Sequence, residues 1–392
     1  MRKAALGLLL ALCCLMLSGC GGGQEIESCL FVLAMAVDPA PEGNLTVTIK
    51  ALSGTQEAVG GTAAAQPTSP PGQAEDSGAE PPEPGYIVMS ATAPSCLRAL
   101  NMLSATTPRT VNLSQLREIV ISRSLAETDA TLTILKEIHG MYRANGEAFV
   151  VVTPDDAGDF IRRQRAILGV RLSKYLEVLF DHFARMDTIP ADAQLASVIA
   201  AMESDTIDAA AVYAASNAFD SPLALETEAD MDRLPGHLPR TSPAENEYLG
   251  CALFSGPRMT GTLTGEETGL LRLMMGEAMR QETFIGNALY RTNLPTRVRR
   301  SIDEDGTLCV TISMSLTHVT GEEQETAQSI AAMIERRAVQ VLMILRAASC
   351  DAAGFGRIAI RKCLDIPSWE AQNWPEEYER RGVRVSADVR VL

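Results

Sequence analysis

One cysteine of the chain lies where a covalent modification is expected. Cys20 follows Leu17, Ser18 and Gly19 at the end of an apolar run that a short cationic start precedes. The run is about 14 residues long, as in a signal peptide, whereas a membrane-spanning helix needs roughly 20. Small residues before the cysteine let a peptidase reach the backbone. The pattern predicts a signal peptide over residues 1–19, processed at Leu17, Ser18 and Gly19, and a lipid attached to the thiol of Cys20.

Residues 20–28 would then form a lipidated tether, in which Gly21, Gly22 and Gly23 supply flexibility. A pair of acyl chains on Cys20 would hold more firmly than one chain, at about 0.8 kcal/mol per buried CH₂. The alternative is an ordinary secretory signal, cut in the same area, with Cys20 incidental. Both interpretations place the rest of the chain outside the cytoplasm, and the first also holds it against a membrane.

The other residue types that carry chemistry do not converge in the sequence. None of the four histidines lies at the spacing of metal ligands, and each is interpreted as an ordinary surface or core residue. These histidines are His139, His182, His237 and His318. Acidic pairs stand at Asp155–Asp156, Glu266–Glu267 and Glu322–Glu323, all at predicted helix starts, where capping and the helix dipole explain them. The sequence therefore predicts no catalytic residue, no cofactor-binding residue and no metal ligand.

Composition limits the class of protein further. The 392 residues suffice for two or three domains, and 46% of them are hydrophobic, so the chain can bury a core. With 34 basic and 49 acidic residues, the formal net charge is −15. This charge argues against binding to nucleic acid or to anionic lipid through a basic surface.

Six cysteines follow Cys20, and no pair of them forms a C-x-x-C motif. They are Cys29, Cys96, Cys251, Cys309, Cys350 and Cys363. Disulfides are allowed outside the cytoplasm, but several of these residues lie in apolar patterns, as small buried hydrophobes do. Their disulfide state stays open at this point.

The elements that must position these residues alternate between strand and helix in the first part of the chain. Residues 29–37 form a continuous apolar run and residues 45–52 alternate, which predicts a hairpin. Residues 53–85 are rich in Gly, Ala, Pro and Ser, and we expect a disordered insertion there. Strands at 86–90, 117–122 and 147–153 alternate with helices at 94–104 and 124–141. The predicted N-terminal α/β domain spans residues 29–153.

The second part of the chain changes character twice. Helices are predicted at 155–166, 173–184 and 190–202, followed by a strand at 207–215, so residues 154–245 form a helical middle region with a linker. From residue 246 the pattern predicts a C-terminal α/β domain that runs to residue 392.

The predicted C-terminal domain contains a series of strands and two capped helices. Thr264 with Glu267, and Thr320 with Glu323, match the capping box, so each threonine is predicted to begin a helix. Its strands lie at 249–254, 258–263, 283–289, 295–303, 307–319 and 382–392. The fold class is predicted to be α+β, with three small mixed α/β domains, predominantly antiparallel or mixed sheets, and packed helices.

Several local segments are similar to one known family. The sequence LGCALF at 249–254, followed by MTGTLTGEE at 259–267, resembles the hairpin and helix start of the Ger(x)C lipoproteins, the C subunit of spore germinant receptors. AAGFG at 352–356, with Trp369 and Trp374, resembles the C-terminal part of that family. ALNML at 99–103 and LREIVIS at 116–122 resemble its early helix and strand. Gly21 to Gly23 stand where the family often has a Trp-Asp pair.

The resemblance implies a non-enzymatic subunit of a spore germinant receptor, active in spore germination. It would be tethered by Cys20 outside the inner spore membrane and would assemble with two integral-membrane subunits. No catalytic residue is assigned in that family. Two alternatives remain: a solute-binding lipoprotein of a transporter, which would need two larger lobes around a cleft, and a lipid-anchored hydrolase, for which no constellation is found. The resemblance leaves open which germinant is sensed and whether this subunit binds it.

Overall fold

The structure is a computed structural model, and it describes residues 28–53, 85–167, 172–217, 232–238, 245–277, 282–285, 288–321 and 325–392. The predicted signal peptide, most of the tether and nearly all of the predicted insertion at 53–85 lie outside these residues. The same holds for most of the predicted linker near residue 220.

A nine-stranded mixed sheet forms the first half of the molecule. Its strands are β1 (Cys29–Pro39), β2 (Leu45–Leu52), β3 (Tyr86–Ala93), β4 (Thr110–Asn112), β5 (Glu118–Ser122), β6 (Phe149–Thr153), β7 (Ala210–Ser216), β8 (Asn246–Ser255) and β9 (Arg258–Leu263). Their spatial order is β3-β2-β1-β5-β6-β7-β8-β9, and β4 pairs with β1. The central strands β1, β5, β6 and β7 are parallel, whereas the strands at both ends pair antiparallel. The predicted hairpin of 29–37 and 45–52 is confirmed.

Helices cover both faces of this sheet, which explains why β1 is apolar from Cys29 to Val37. The helices are α1 (Cys96–Ser104), α2 (Arg123–Ala126), α3 (Ala130–His139), α4 (Ala157–Arg163), α5 (Leu172–Arg185) and α6 (Leu195–Met202). One core includes α1, α3 and α6, and the other includes α4 and α5. Residues 32–37 of β1 are fully buried. Val32, Met35 and Val37 join the first core, and Leu33, Ala34 and Ala36 join the second, so the alternation is interrupted once, at the register shift between Val32 and Ala34.

A four-stranded mixed sheet forms the second half. Its elements are α7 (Gly265–Met275), β10 (Glu282–Ile285), β11 (Ala288–Ile302), β12 (Leu308–Thr320), α8 (Ala327–Ala347), α9 (Gly356–Ala359), α10 (Ile366–Glu370), α11 (Trp374–Arg380) and β13 (Val383–Val391). The strand order is β10-β11-β12-β13, with β12 and β13 parallel. The long helix α8 buries Ile330, Val341 and Leu345 against one face of the sheet. The predicted α+β class with mixed sheets is confirmed.

Of the two predicted capping boxes, one is confirmed and one is wrong. The capping box of Thr264 and Glu267 begins α7 as predicted. The second predicted box is wrong: Thr320 is the last residue of β12 and pairs with Leu289, and α8 begins at Ala327. The hydroxyl of Thr326 accepts a hydrogen bond from the Ser329 amide at 3.1 Å and supplies the cap.

The helix predicted over 124–141 is divided into α2 and α3. The Thr128 hydroxyl donates to the Leu125 carbonyl at 2.7 Å and accepts from the Ala130 amide at 3.3 Å. Such local side-chain bonds compete with the helical pattern. The chain therefore turns at this point and starts a new helix.

Strand β8 belongs to both halves of the molecule. Residues 246–263, which the sequence placed in the C-terminal domain, pair through β8 with β7 of the large sheet. Alternate residues of a strand point to opposite faces. Ala252 and Phe254 thus join one core of the large sheet, whereas Cys251 and Leu253 join the core beneath α8. The domain boundaries at residues 153 and 245 stay predictions.

Candidate functional site

The predicted lipid attachment site lies outside the described residues. Cys20 and the processing residues Leu17, Ser18 and Gly19 precede residue 28, where the description begins. Lipidation therefore stays a prediction. Among the described residues, no helix combines the length and apolar character needed to cross a membrane.

The four histidines stand on four separate segments. His139 ends α3, His182 lies on α5 and His237 lies in the segment 232–238, and all three are exposed. His318 on β12 places its Nε2 atom 3.1 Å from the Gly321 carbonyl oxygen. Within the described parts of the chain, no group of three His, Cys, Asp or Glu residues could hold a metal ion.

A buried carboxylate stands directly before the AAGFG segment at 352–356. Asp351 follows α8 and is 2% exposed. Its Oδ1 atom accepts from the Phe355 amide at 2.9 Å, and its Oδ2 atom accepts from the Gly356 amide at 2.6 Å and from Trp374 Nε1 at 3.0 Å. One side chain thus fixes α8, α9 and α11 relative to each other.

Burial dominates the electrostatics of this carboxylate. It raises the pKa of Asp351 from 3.8 to about 7, while the amides of Gly356 and Phe355 and the Trp374 indole oppose the rise. The negative charge of Asp208 adds to it. A carboxyl group of this kind changes its charge near neutral pH.

Asp208 connects the same segment to the large sheet. It precedes β7, and its Oδ2 atom accepts from the Asp351 amide at 2.7 Å, while Oδ1 accepts from the Gly256 amide at 3.3 Å. Burial raises the pKa of Asp208 as well. Asp208 and Asp351 together form the joint between the two sheets.

Close packing at the joint explains why the AAGFG segment at 352–356 ends in a glycine, Gly356. A Cβ atom on Gly356 would lie 2.7 Å from the Thr206 carbonyl oxygen and 2.8 Å from Trp374 Nε1. The Trp374 ring stacks on Trp369 with a centroid distance of 5.8 Å. The motif residues thus build a packed structural contact.

A buried ion pair provides a second connection. Arg272 on α7 places Nη1 3.2 Å from Asp187 Oδ1, and both side chains are 3% exposed. The same nitrogen donates to the Ala184 carbonyl at 2.6 Å and to the Ile189 carbonyl at 3.2 Å. Helix α7 is therefore tied to the chain that follows α5.

A cavity of about 140 Å³ lies between α7, α8 and the small sheet. Apolar side chains such as Leu270, Leu273 and Met333 line it, together with Arg337 and Asp187. Glu266 and the threonines Thr283, Thr292 and Thr296 also line the cavity, so its lining is partly polar.

A second buried polar network lies within the large sheet. Gln164 Nε2 donates to Glu118 Oε1 at 2.6 Å, and Tyr248 donates its hydroxyl proton to Glu118 Oε2 at 3.1 Å. Lys50 donates to the Gln164 carbonyl. Burial raises the pKa of Glu118 to about 7. These residues connect β2, β5 and β8 beneath α4 and α5.

The six described cysteines form no disulfide with one another. Burial raises the pKa of Cys96 and of Cys251 to about 12, which keeps both thiols protonated and unreactive at neutral pH. Cys309 and Cys363 are partly exposed.

Sequence reasoning missed the two carboxylates of the joint. Asp351 directly precedes the AAGFG segment at 352–356, so its position beside a glycine motif was the available signal. Asp208 gave no signal, because its role depends on a contact across more than a hundred residues.

Comparison with known proteins yields two family models that match the chain in order. Residues 22–215 match the model described as "Spore germination protein N-terminal domain", and residues 249–392 match "Spore germination B3/ GerAC like, C-terminal". A solved structure, "Crystal Structure of the GerBC protein", is 12% identical over 91% of this chain and 96% of that chain, with a TM-score of 0.43. No match was found among curated proteins.

Proposed function

The chain belongs to the GerAC-like family of spore germination proteins, and on this premise we propose that it is the lipid-anchored, non-enzymatic C subunit of a spore germinant receptor. The observation that carries the proposal is the match of both family models, which together span residues 22–215 and 249–392. The buried joint agrees with it, because Asp351 and Trp374 act there as structural residues.

The proposal places the body outside the cytoplasm, at the inner spore membrane. Residues 1–19 would be removed as a signal peptide, and residues 20–28 would form the tether. The thiol of Cys20 would carry the diacylglyceryl group, and palmitate is one acyl chain that it could hold. The lipobox sequence Leu17-Ser18-Gly19-Cys20 supports this step.

Labelling with a palmitate analogue in cells that make the full chain tests the anchor. We expect the wild-type chain to incorporate the label and Cys20→Ala to lose it. Cys363→Ala serves as the matched control, because Cys363 is a partly exposed free thiol in the body. Label that persists in Cys20→Ala, or that disappears equally in Cys363→Ala, contradicts lipidation at Cys20.

The partners in this proposal are two integral-membrane receptor subunits. We propose that residues 246–392 make the main contacts with them, because the family-like segments are densest there. Deletion of residues 53–85 should then leave assembly intact. Loss of the complex on that deletion, with the Asp351 joint still folded, would place the contact in the insertion instead.

A further inference from the structure

The face of the small sheet that lies opposite α8 is basic, in contrast to the rest of the chain. On β12 the buried residues Leu308, Val310 and Ile312 point towards α8, so the residues between them point to the opposite face. Strand pairing aligns that face across β11, β12 and β13. This face is named here the arginine face, after Arg291, Arg297, Arg299, Arg384 and Arg390. The hydroxyls of Thr311, Ser313, Ser315, Thr317 and Ser386 lie between the arginines, and the same register places Asn293, Ser301, Cys309 and Asp388 on this face.

The register brings these residues together in rows. Arg299 pairs with Thr311, which pairs with Ser386, and the Ser386 hydroxyl lies 3.4 Å from the Thr311 hydroxyl. The neighbouring row contains Arg297, Ser313 and Asp388. Arginine and hydroxyl donors therefore alternate across three strands on a single surface.

Acidic residues compensate only part of this charge. Arg291 lies 3.0 Å from Glu282, Arg384 lies 3.2 Å from Asp303, and Arg390 lies 3.9 Å from Asp388.

Arg297 and Arg299 are exposed and form no ion pair with any residue in the described ranges. A chain of net charge −15 thus carries a local surface of the opposite sign.

We propose that the arginine face docks onto the anionic headgroups of a phospholipid membrane. Guanidinium groups bind phosphate oxygens in a bidentate manner, and the neighbouring hydroxyls can donate further hydrogen bonds.

The size of the face favours lipid over a protein partner. Three strands about 4.8 Å apart and roughly nine residues long cover on the order of 400 Å². A stable protein interface buries about 800 Å² per partner and has an apolar centre. The arginine face has about half that area, and most of its side chains are charged or carry a hydroxyl.

Vesicle binding by the lipid-free mature chain, beginning at Gly21, tests the proposal. This chain keeps every core cluster, since all of them lie within residues 30–389. We expect it to bind phosphatidylcholine vesicles that contain phosphatidylglycerol and not to bind vesicles of phosphatidylcholine alone. High salt should abolish the binding.

A matched pair of double variants locates the binding surface. Arg297→Gln with Arg299→Gln should weaken binding roughly 25-fold, because each basic residue near an anionic surface contributes about fivefold. Arg98→Gln with Arg163→Gln removes the same charge from exposed positions on α1 and α4 and should leave binding unchanged.

Equal binding to both vesicle types, absence of binding, or equal loss in both double variants overturns the proposal. If the wild-type chain ignores vesicles while the face variant loses its membrane subunits in co-purification, the occupant is an acidic protein surface, which also overturns it. Because the tested chain carries no acyl group, the outcome is independent of lipidation at Cys20.

Discussion

The buried carboxyl of Asp351 predicts that the C-terminal half loses stability as the pH rises through neutrality. The pKa of Asp351 is raised from 3.8 to about 7 in the folded chain, chiefly by burial. The folded state therefore holds this proton more tightly than the unfolded state. The stabilising contribution is complete below pH 3.8 and is lost as the pH rises through about 7.

The structure sets the magnitude of this effect. The difference between 3.8 and about 7 corresponds to roughly 4 kcal/mol of unfolding free energy from below pH 3.8 to above pH 7, of which about 3 kcal/mol falls above about pH 5. Asp351→Asn removes the titration and keeps the shape of the side chain. Its amide oxygen can accept the bonds from Gly356 and Trp374, but the Phe355 amide loses its acceptor, at a cost of about 1–3 kcal/mol.

Urea unfolding, measured at several pH values between about 5 and 9, provides the assay. Trp369 and Trp374 are the two tryptophans of the chain, so their fluorescence reports the joint. We expect Asp351→Asn to be less stable than wild type at the acidic end and equally or more stable at the alkaline end. Asp388→Asn, at an exposed site, should follow the wild-type pH profile. A constant difference between wild type and Asp351→Asn at every pH would refute the reasoning.

Three further substitutions test contacts of the C-terminal half by chemical denaturation. Gly356→Ala should lower the free energy of unfolding by about 2 kcal/mol or more, because the new methyl would lie 2.7 Å from a backbone oxygen. Gly382→Ala, whose methyl makes only ordinary contacts, should lower it less. Equal effects would argue against close packing at the joint. Thr326→Ala should destabilise α8 by about 1 kcal/mol through loss of its cap, and an unchanged midpoint would contradict that assignment. Arg272→Ala breaks the buried ion pair with Asp187 and should lower the free energy of unfolding by about 3–5 kcal/mol. Arg336→Ala, at an exposed position, should lower it by at most about 0.5 kcal/mol. A small loss in both variants would count against a stabilising role of the pair.

Periodicity predicted those elements whose apolar pattern is long and regular. The hairpin of β1 and β2, the stripe of α8 and the alternation of β13 follow directly from the spacing of buried residues. The errors occurred where tertiary contacts outweigh local signals. Thr320 matches a capping box, yet pairing with Leu289 extends β12 to that residue.

The joint and the arginine face depend on register, which the sequence does not reveal. Asp208 and Asp351 meet only because β7 and the end of α8 lie side by side. Arg297 and Arg299 lie on β11, whereas Arg384 and Arg390 lie on β13. Strand β12 separates the two pairs in space, and a helix-rich segment separates them along the chain. Without the pairing of β11, β12 and β13, their alternation indicated only exposed strands.

Co-purification from detergent-solubilised spore membranes tests the central claim most directly. The full chain would carry a tag after Leu392, which is exposed at the end of the described body. We predict recovery of two multi-spanning membrane subunits with the wild-type chain, identified by mass spectrometry. Recovery of a transporter permease instead, or of no membrane protein at all, would contradict the assignment as a germinant-receptor subunit.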